Sequence, residues 1–485
     1  TREREETGLS LPAAEIDLMP SRSLRVAVIG AGAAGLVAAR ELRREGHAPV
    51  VFERTDGVGG TWVYDADADA EPLRPRRSNL YASLRTNLPR ECMGFLDFPF
   101  AAAGPDDDPR RFPGHAEVLR YLREFARRFD LLGLVRLQTE VVRVSREASE
   151  SWHVRYSRKV AGSEKRESEE EVFDAVVVCN GHYYQPHVAD IAGVDAWPGK
   201  QLHSNSYRVP EPFRGQVVVV IGCSISGMDI SKDIAGVAKE VHVVNRSAPA
   251  STYERLPGHH TNLWIHSMVD RAERDGSVVF QDGSRVRADV IIHCTGYKYS
   301  FPFLGDDATI SVDDNRVGPL YKHVFPPRVA PQLSFIGLPL RVIPFALFEL
   351  QSNWVAGVLS GRIELASEEE MTREVMAFYS GLDACGWPRR YTHVLGDFEF
   401  KYEDWLAGQC RREKIEDWRK EMYAVAVKDN VEYHGNYRDM WDDGYRDHLL
   451  VPSKPRIRPA FSCRSSAINL PSLFDSKYKC TFTRG

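Results

Sequence analysis

Two glycine-rich turns carry the residue types whose spacing is best suited to chemistry. Each turn follows an apolar run and precedes an amphipathic stretch typical of a helix. The first turn contains Gly30, Gly32 and Gly35, and the second contains Gly222, Ser224, Ser226 and Gly227. Glycine permits the tight turn, and backbone N–H groups at the helix N-terminus can then approach a pyrophosphate. The order strand, turn, helix therefore predicts two dinucleotide-binding units.

The residue that ends the following strand differs between the two units. Glu53 ends the strand predicted over 49–52, where its carboxylate can accept hydrogen bonds from a ribose diol. At the same distance from the second turn, Asn245 and Arg246 follow the strand predicted over 241–244. An arginine binds a 2′-phosphate that a carboxylate would repel. The first site is therefore predicted to take the adenosine half of FAD or NAD, and the second to take NADPH.

Length, net charge and cysteine content limit the classes of protein to which this chain can belong. The chain of 485 residues is long enough for two or more domains, and its formal net charge of -5 argues against a nucleic-acid partner. The eight cysteines contain no C-x-x-C pair, which favours a reducing compartment over a disulfide framework. No apolar run reaches the length of a membrane span. We expect a cytoplasmic enzyme, with Met19 as a candidate natural start after an extension.

The pattern of elements predicts an α/β fold with two Rossmann-like domains, the NADPH domain being inserted into the FAD domain. The expected boundaries are an extension over 1–23, FAD-domain segments over 24–205 and 322–450, the NADPH domain over 206–321, and a tail over 451–485. Further predicted elements are a helix over 116–129, a strand over 141–156, a solvated hairpin tip over 158–171, strands over 175–179, 290–294 and 333–337, a helix through 348–354, and exposed loops over 65–77 and 104–111.

A sequence between the two turns resembles the identifying sequence of the flavin-containing monooxygenases. It consists of Trp197, Gly199, His203 and Tyr207 at the family's spacing, although the family most often has Phe at the first position. The block 294–297 corresponds to the family's Ala-Thr-Gly-Tyr block. The blocks 78–81, 84–93, 97–100 and 297–304 are similar to the plant branch that oxygenates sulfur. The resemblance extends over 25–445.

The resemblance implies a reaction in which the reactive group belongs to the flavin cofactor and not to a side chain. In this family NADPH reduces FAD, the reduced flavin adds O2, and the flavin hydroperoxide transfers one oxygen to a soft nucleophile. The plant branch implies a small thioether as substrate, such as a methylthioalkyl glucosinolate or an S-alkyl cysteine, with a sulfoxide as product. Such chemistry requires no metal, no histidine base and no nucleophilic side chain. The sequence indicates no oligomeric state.

The resemblance also assigns roles to individual residues. Asn87 corresponds to the family's asparagine beside the flavin and is the candidate catalytic residue, although the same residue type is typical of a cap for the following Leu-Pro turn. The other candidate cofactor-binding residues flank the flavin or the pyridine nucleotide: Gly60, Thr61, Trp62, His203, Ser204, Tyr207, Thr295 and Gln351. For His203 a structural role at the hinge between the domains is favoured over catalysis. Cys179, Cys223 and Cys294 are expected to be buried packing residues.

Three other functions share parts of this pattern. A flavin disulfide reductase has the same two nucleotide sites but needs a pair of redox cysteines. An N-hydroxylating or auxin-pathway-type monooxygenase differs only in its substrate pocket. A non-catalytic redox sensor would keep both turns without transferring oxygen.

Overall fold

The computed structural model describes residues 23–66, 73–76, 78–102, 104, 107–146, 151–160, 165–256, 260–305, 309–432 and 436–441. The candidate start at Met19 and the tail expected over 451–485 lie outside the described residues. Within them, no helix is both long and apolar enough to cross a membrane.

The described chain alternates strands with helices in two successive units. The helices are α1 (Ala33–Arg44), α2 (Arg90–Met93), α3 (His115–Arg128), α4 (Ile225–Ala235), α5 (Pro344–Leu359), α6 (Glu368–Ala384), α7 (Glu399–Gln409) and α8 (Asp417–Glu432). The strands are β1 (Arg25–Ile29), β2 (Ala48–Phe52), β3 (Val135–Arg136), β4 (Thr139–Arg146), β5 (Trp152–Lys159), β6 (Arg166–Phe173), β7 (Ala175–Val178), β8 (Gln185–Pro186), β9 (Lys200–His203), β10 (Val217–Ile221), β11 (Glu240–Val244), β12 (Tyr253–Arg255), β13 (Leu263–His266), β14 (Val269–Ala272), β15 (Ser277–Phe280), β16 (Arg285–Arg287), β17 (Val290–His293), β18 (Tyr297–Lys298), β19 (Ser311–Asp313), β20 (Arg316–Gly318) and β21 (Leu333–Phe335).

The first sheet has the order β21-β7-β1-β2-β3, and all its strands are parallel. β1 lies in the middle, so its C-terminal residue Ile29 is opposite both Phe52 and Val178. The predicted return of the chain to the first domain at 333–337 is confirmed, because β21 pairs with β7. The carboxyl ends of these parallel strands meet at one edge, which is where ligands bind in such sheets.

The second sheet has the order β12-β13-β11-β10-β17-β9 and is parallel except for β12. Its central strand β10 has the sequence VVVVI and is buried throughout, as expected for β-branched residues covered on both faces. The two sheets confirm the predicted α/β fold with two Rossmann-type units.

The second sheet begins earlier in the sequence than the expected boundary at residue 206. β9 pairs in parallel with β17 and therefore belongs to it. At the other end, Tyr299, Phe303 and Leu320 pack in a cluster with core residues of the first sheet. Hydrophobic burial thus draws much of the segment 299–320 to the first unit, although it was expected to lie in the second.

β4, β5 and β6 form an antiparallel three-stranded sheet, and one prediction for this region was wrong. The strand expected over 141–156 is two strands, β4 and β5. The stretch 158–171, expected to be a solvated hairpin tip, includes most of β6, whose residues 166–170 are all exposed. The alternation of polar and apolar residues is the same within one strand and across a hairpin, so it does not show where the chain turns.

The predicted helices are confirmed, whereas α2, α6, α7 and α8 were not predicted. α1 ends at Arg44, and Gly46 follows with a φ of 87°, the left-handed conformation that glycine adopts after a helix. The helix predicted over 116–129 is α3. α5 begins with Pro344, packs against α1 and is buried along nearly its whole length, including its polar residues Glu349, Gln351, Ser352 and Asn353. The exposed loop expected over 65–77 has no helix or strand in its described part, but Arg76 there is buried.

Candidate functional site

The first glycine turn leaves no room for side chains at two of its positions. Gly30 has a φ of 105°, and a Cβ atom there would lie 2.5 Å from the carbonyl oxygen of Cys179. A Cβ atom on Gly35 would lie 1.8 Å from the carbonyl oxygen of Gly30. The glycines therefore let α1 approach β1 and β7 closely, which brings the helix N-terminus to the carboxyl edge of the sheet.

The second turn repeats this geometry almost atom for atom. Gly222 has a φ of 113°, and a Cβ atom there would lie 2.5 Å from the carbonyl oxygen of Cys294. A Cβ atom on Gly227 would lie 1.9 Å from the carbonyl oxygen of Gly222. Cys179 and Cys294 thus hold equivalent places beside the two turns, and both are buried packing residues, as expected.

Both helix N-termini have the properties of a pyrophosphate site. Neither α1 nor α4 has an acidic residue in its first turn, and their N-cap residues are Gly32 and Ser224. Ser224 makes no side-chain hydrogen bond to its helix, although serine is a common N-cap. The first N–H groups of each helix lack intrahelical partners, and the positive end of the helix dipole favours an anion there. The residues present fit two dinucleotides.

Glu53 is held at the first turn by backbone donors. Its side chain is buried, and Oε2 accepts a hydrogen bond of 2.8 Å from the N–H of Ala31. Oε1 accepts a second bond of 2.9 Å from the N–H of Thr55. A carboxylate oxygen has more than one acceptor position, so these bonds orient Glu53 and leave it able to accept from a ribose hydroxyl.

Arg246 lies at the corresponding end of β11 in the second unit and is exposed. Its Nη2 donates a hydrogen bond of 2.5 Å to the phenolic oxygen of Tyr391, which belongs to the returning part of the chain. Burial opposes ionisation of Tyr391, but its hydrogen bonds with Arg390 and Arg246 outweigh burial and lower its pKa. The second nucleotide site therefore presents a guanidinium and a phenol side by side.

The segment Gly60–Trp62 packs directly on the first turn. A Cβ atom on Gly60 would lie 2.8 Å from the Cα atom of Gly32, and the N–H of Gly59 donates to the carbonyl oxygen of Ala31 over 3.0 Å. This short helical turn covers the end of the first nucleotide site, where the resemblance places the flavin.

A chain of polar side chains joins this cover to the second unit. The hydroxyl of Thr61 donates to Oδ1 of Asn79 over 2.7 Å. Burial raises the pKa of Tyr297, and hydrogen bonds with Asn79 and Ser204 oppose that rise. Thr61 and Ser204, two predicted site residues far apart in sequence, are thereby connected through Tyr297 at the junction of the two units.

His203 is completely buried at the end of β9. Its Nε2 donates to the carbonyl oxygen of Gly296 over 2.9 Å, and its Nδ1 accepts from the N–H of Asn205 over 3.2 Å. Burial lowers its pKa to about 4, so the ring is neutral at physiological pH. Both ring nitrogens are used to join β9 to the segment after β17, and neither is available to move a proton.

Two predicted site residues lie at the second unit with their hydroxyl groups engaged by protein atoms. Tyr207 is buried and donates to Asp233 over 2.6 Å, in the last turn of α4 and therefore away from the glycine turn. Thr295 follows β17 beside the second turn and donates to the carbonyl oxygen of His187. The predicted places of Tyr207 near the pyridine nucleotide and of Thr295 near the flavin stay predictions.

Gln351 is also fully engaged within the protein. Its Oε1 accepts from the N–H of Gly337 over 3.0 Å, and its Nε2 donates to the phenolic oxygen of Tyr402 over 3.0 Å. The side chain is completely buried in α5. Its amide joins α5, α7 and the end of β21, and its predicted approach to the flavin stays a prediction.

Asn87 lies in an exposed turn between the two units. Its Oδ1 accepts a hydrogen bond of 2.7 Å from Nη2 of Arg438. Its backbone oxygen accepts from the phenol of Tyr437 over 2.9 Å. No local sequence pattern predicts this contact, because Arg438 is 351 residues further along the chain.

Arg208 is a second functional neighbour that the sequence pattern did not identify. Its guanidinium is buried and donates to the carbonyl oxygens of Ser78 and Leu80 over 3.0 Å each, and to that of Asn205 over 2.8 Å. Arg208 thus fastens the end of the identifying sequence to the block 78–81. Its position directly after Tyr207 was the only available clue.

The described residues contain no arrangement typical of thiol or metal chemistry. The six described cysteines are free thiols, and burial raises the pKa of Cys92, Cys179 and Cys410 and raises that of Cys294 to about 12. Thiols with raised pKa values are poor nucleophiles. No group of three or more His, Cys, Asp or Glu side chains among the described residues is placed to hold a metal ion.

Comparison with known proteins agrees with this geometry. The family model for flavin-binding monooxygenase-like proteins matches residues 23–253 and 259–383. The Arabidopsis thaliana protein named flavin-containing monooxygenase FMO GS-OX-like 2 is 55% identical over 449 residues, covering 89% of this chain and 94% of the relative. FMO GS-OX5 of the same plant is 55% identical over 443 residues, covering 88% and 93%.

A solved structure gives the same result. The S-allyl-L-cysteine S-oxygenase from Allium sativum is 54% identical, with a TM-score of 0.84 that covers 88% of this chain and 97% of the other. The predicted resemblance to the plant monooxygenases is confirmed by these matches. This chain belongs to the flavin-binding monooxygenase-like family and is an FAD-containing monooxygenase that uses NADPH.

Proposed function

We propose that this enzyme transfers one oxygen atom from O2 to the sulfur of a small thioether of the S-alkyl cysteine or methylthioalkyl glucosinolate type. The observation that carries the proposal is the 54% identity, over nearly the whole of both chains, to a protein named as an S-allyl-L-cysteine S-oxygenase. The balanced reaction is thioether, O2, NADPH and a proton giving sulfoxide, NADP⁺ and water.

The side chains in this proposal bind and orient. When bound, FAD reduced by NADPH activates O2 and supplies the transferred oxygen. The first turn and Glu53 hold the adenosine and pyrophosphate of FAD, while the second turn and Arg246 hold those of NADPH. The cover formed by Gly60–Trp62 limits the access of water to the reacting centre. His203 is neutral and fastened at both nitrogens, which supports a purely structural role at the junction.

Asn87 is proposed as the catalytic residue. Its amide can donate a hydrogen bond to the activated oxygen without itself being an acid that would release it as hydrogen peroxide. The exposed position of Asn87 between the two nucleotide units supports this role. The division into an FAD domain and an NADPH domain, with boundaries shifted by β9 and by the segment 299–320, and a cytoplasmic location stay predictions.

The proposal is tested by supplying the FAD-loaded enzyme and NADPH with S-alkyl cysteines, methylthioalkyl glucosinolates and primary amines in parallel. Products are separated and identified by mass spectrometry. We expect sulfoxides from one or more thioethers, and Gly227→Ala as control is expected to form none. Oxygenated amines without any sulfoxide would instead identify an N-hydroxylating enzyme. Hydrogen peroxide with no oxygenated product from any compound would refute the transfer reaction.

A further inference from the structure

The contact between Asn87 and the segment 436–441 assigns a role to Arg438 that the family resemblance does not supply. The segment follows α8 and lies against both nucleotide units. Its Asn436 accepts from Lys232 of α4 over 2.9 Å, and its Asp439 pairs with Arg85 of the first unit. Arg438 lies between these two anchors, and its side chain is 7% exposed.

All three guanidinium nitrogens of Arg438 donate hydrogen bonds. Nη1 and Nη2 donate to the two carboxylate oxygens of Asp229 over 2.9 and 3.0 Å, and Nε donates to the carbonyl oxygen of Thr86 over 2.8 Å. The remaining bond of Nη2 goes to Asn87 Oδ1. Asp229 belongs to α4, which begins at the second glycine turn. One guanidinium therefore connects the helix of the second nucleotide site to Asn87.

A guanidinium has donors only, so its partner on Asn87 has to be the amide oxygen. The two ends of an amide are otherwise easily exchanged by rotation, and only the hydrogen-bond partner decides between them. With Oδ1 held by Arg438, the group that Asn87 has left to offer is the Nδ2 donor. Asp229 balances the charge of Arg438, and although burial opposes ionisation of Arg438, Asp229 raises its pKa.

We propose that Arg438 is a positioning residue that fixes the orientation of the Asn87 amide, so that its N–H groups and not its oxygen face the reacting oxygen. Because Asp229 shares the same guanidinium, this orientation is tied to the position of α4 at the NADPH site. The inference rests on the proposed role of Asn87. Without Arg438, the amide can rotate and present an acceptor that repels electron-rich oxygen.

The test is a double-mutant cycle on the coupling of NADPH oxidation to product formation. Uncoupling is measured as the ratio of hydrogen peroxide released to NADPH oxidised, in the presence of a thioether that the enzyme converts. Arg438→Gln is expected to raise this ratio about tenfold, because a hydrogen bond to a charged group is lost. In an Asn87→Ser background, Arg438→Gln is expected to have no further effect, since its action passes through Asn87. FAD content and the apparent KM for NADPH should change less than twofold.

Asp439→Asn is the matched control, because it removes an ion pair of the same segment without touching Asn87. It is expected to leave coupling unchanged. Hydrogen exchange in the peptide 84–93, measured without NADPH, should become faster in Arg438→Gln and not in Asp439→Asn. If Arg438→Gln does not fold, Arg438→Lys keeps the charge beside Asp229 while losing the planar fork, and it is expected to uncouple similarly.

The inference is overturned if Arg438→Gln and Arg438→Lys keep wild-type coupling, if the effects of Arg438→Gln and Asn87→Ser add, or if Asp439→Asn uncouples as strongly. The proposed role of Asn87 has a separate test. It is refuted if the single variant Asn87→Ser keeps full coupling.

Discussion

Replacing Arg246 by alanine tests how the second site selects its nucleotide. The guanidinium is the charged group next to the strand end where a 2′-phosphate would lie. A hydrogen bond to a charged group contributes about 1.5 to 3 kcal/mol, and solvent exposure of Arg246 reduces its contribution to about 1 to 2 kcal/mol. That range corresponds to an increase of about 5- to 30-fold in the apparent KM for NADPH.

The assay compares NADPH with NADH in steady-state turnover and in anaerobic reduction of the bound flavin. NADH lacks the 2′-phosphate, so its apparent KM is expected to change less than about twofold. Arg255→Ala serves as a control, because Arg255 is exposed on β12 of the same sheet and stacks on Trp264. Equal losses for NADPH and NADH, or an equal effect of Arg255→Ala, would refute the assignment of Arg246 to the 2′-phosphate.

Three further predictions concern the turns and the buried ionisable groups. Gly35→Ala is expected to abolish FAD incorporation, whereas Gly227→Ala should retain FAD, measured by its absorbance, and lose reduction by NADPH; the reverse pattern would exchange the two sites. The folded-state pKa of His203 is lowered to about 4, so stability of up to about 3 kcal/mol is present above pH 6.5 and is lost as the pH falls towards 4. His203→Gln should therefore show a smaller decrease in Tm between pH 7 and pH 5 than the wild type, and an equal decrease would contradict the buried neutral ring. Burial and the neighbouring Glu399 raise the pKa of Glu403 well above its usual range, so its folded state holds a proton and stability is lost as the pH rises above 4.5. Glu403→Gln should raise Tm at pH 8 and not at pH 5, and an equal change at both would contradict a raised pKa.

The sequence predicted the parts of the site that are built from short contiguous segments. The glycines of both turns, Glu53 and Arg246 follow strands at fixed distances, and steric and electrostatic requirements leave few other residue types possible there. A Cβ atom on Gly30 or on Gly222 would lie 2.5 Å from a neighbouring carbonyl oxygen in both cases. The distances agree because both turns need the same close approach of a helix to a strand.

Contacts between distant segments could not be predicted in this way. Arg438 and Arg208 form side-chain hydrogen bonds to residues more than a hundred positions away, and no spacing pattern in the sequence predicts such a contact. The family resemblance places Gln351 at the flavin, but no sequence pattern shows that its amide also bonds to buried groups of the protein. The strands β4 and β5 were predicted as one strand over 141–156, because each alternates polar and apolar residues and neither glycine nor proline lies between them.

The most direct test of the proposed reaction follows the transferred oxygen itself. FAD-loaded enzyme is given NADPH, S-allyl-L-cysteine and O2 labelled with heavy oxygen, and the product is analysed by mass spectrometry while NADPH oxidation is recorded. We expect a sulfoxide that carries one labelled oxygen, formed in equal amount to the NADP⁺ produced. Unlabelled sulfoxide, or NADPH oxidation that yields only hydrogen peroxide with this and every other thioether, would contradict it.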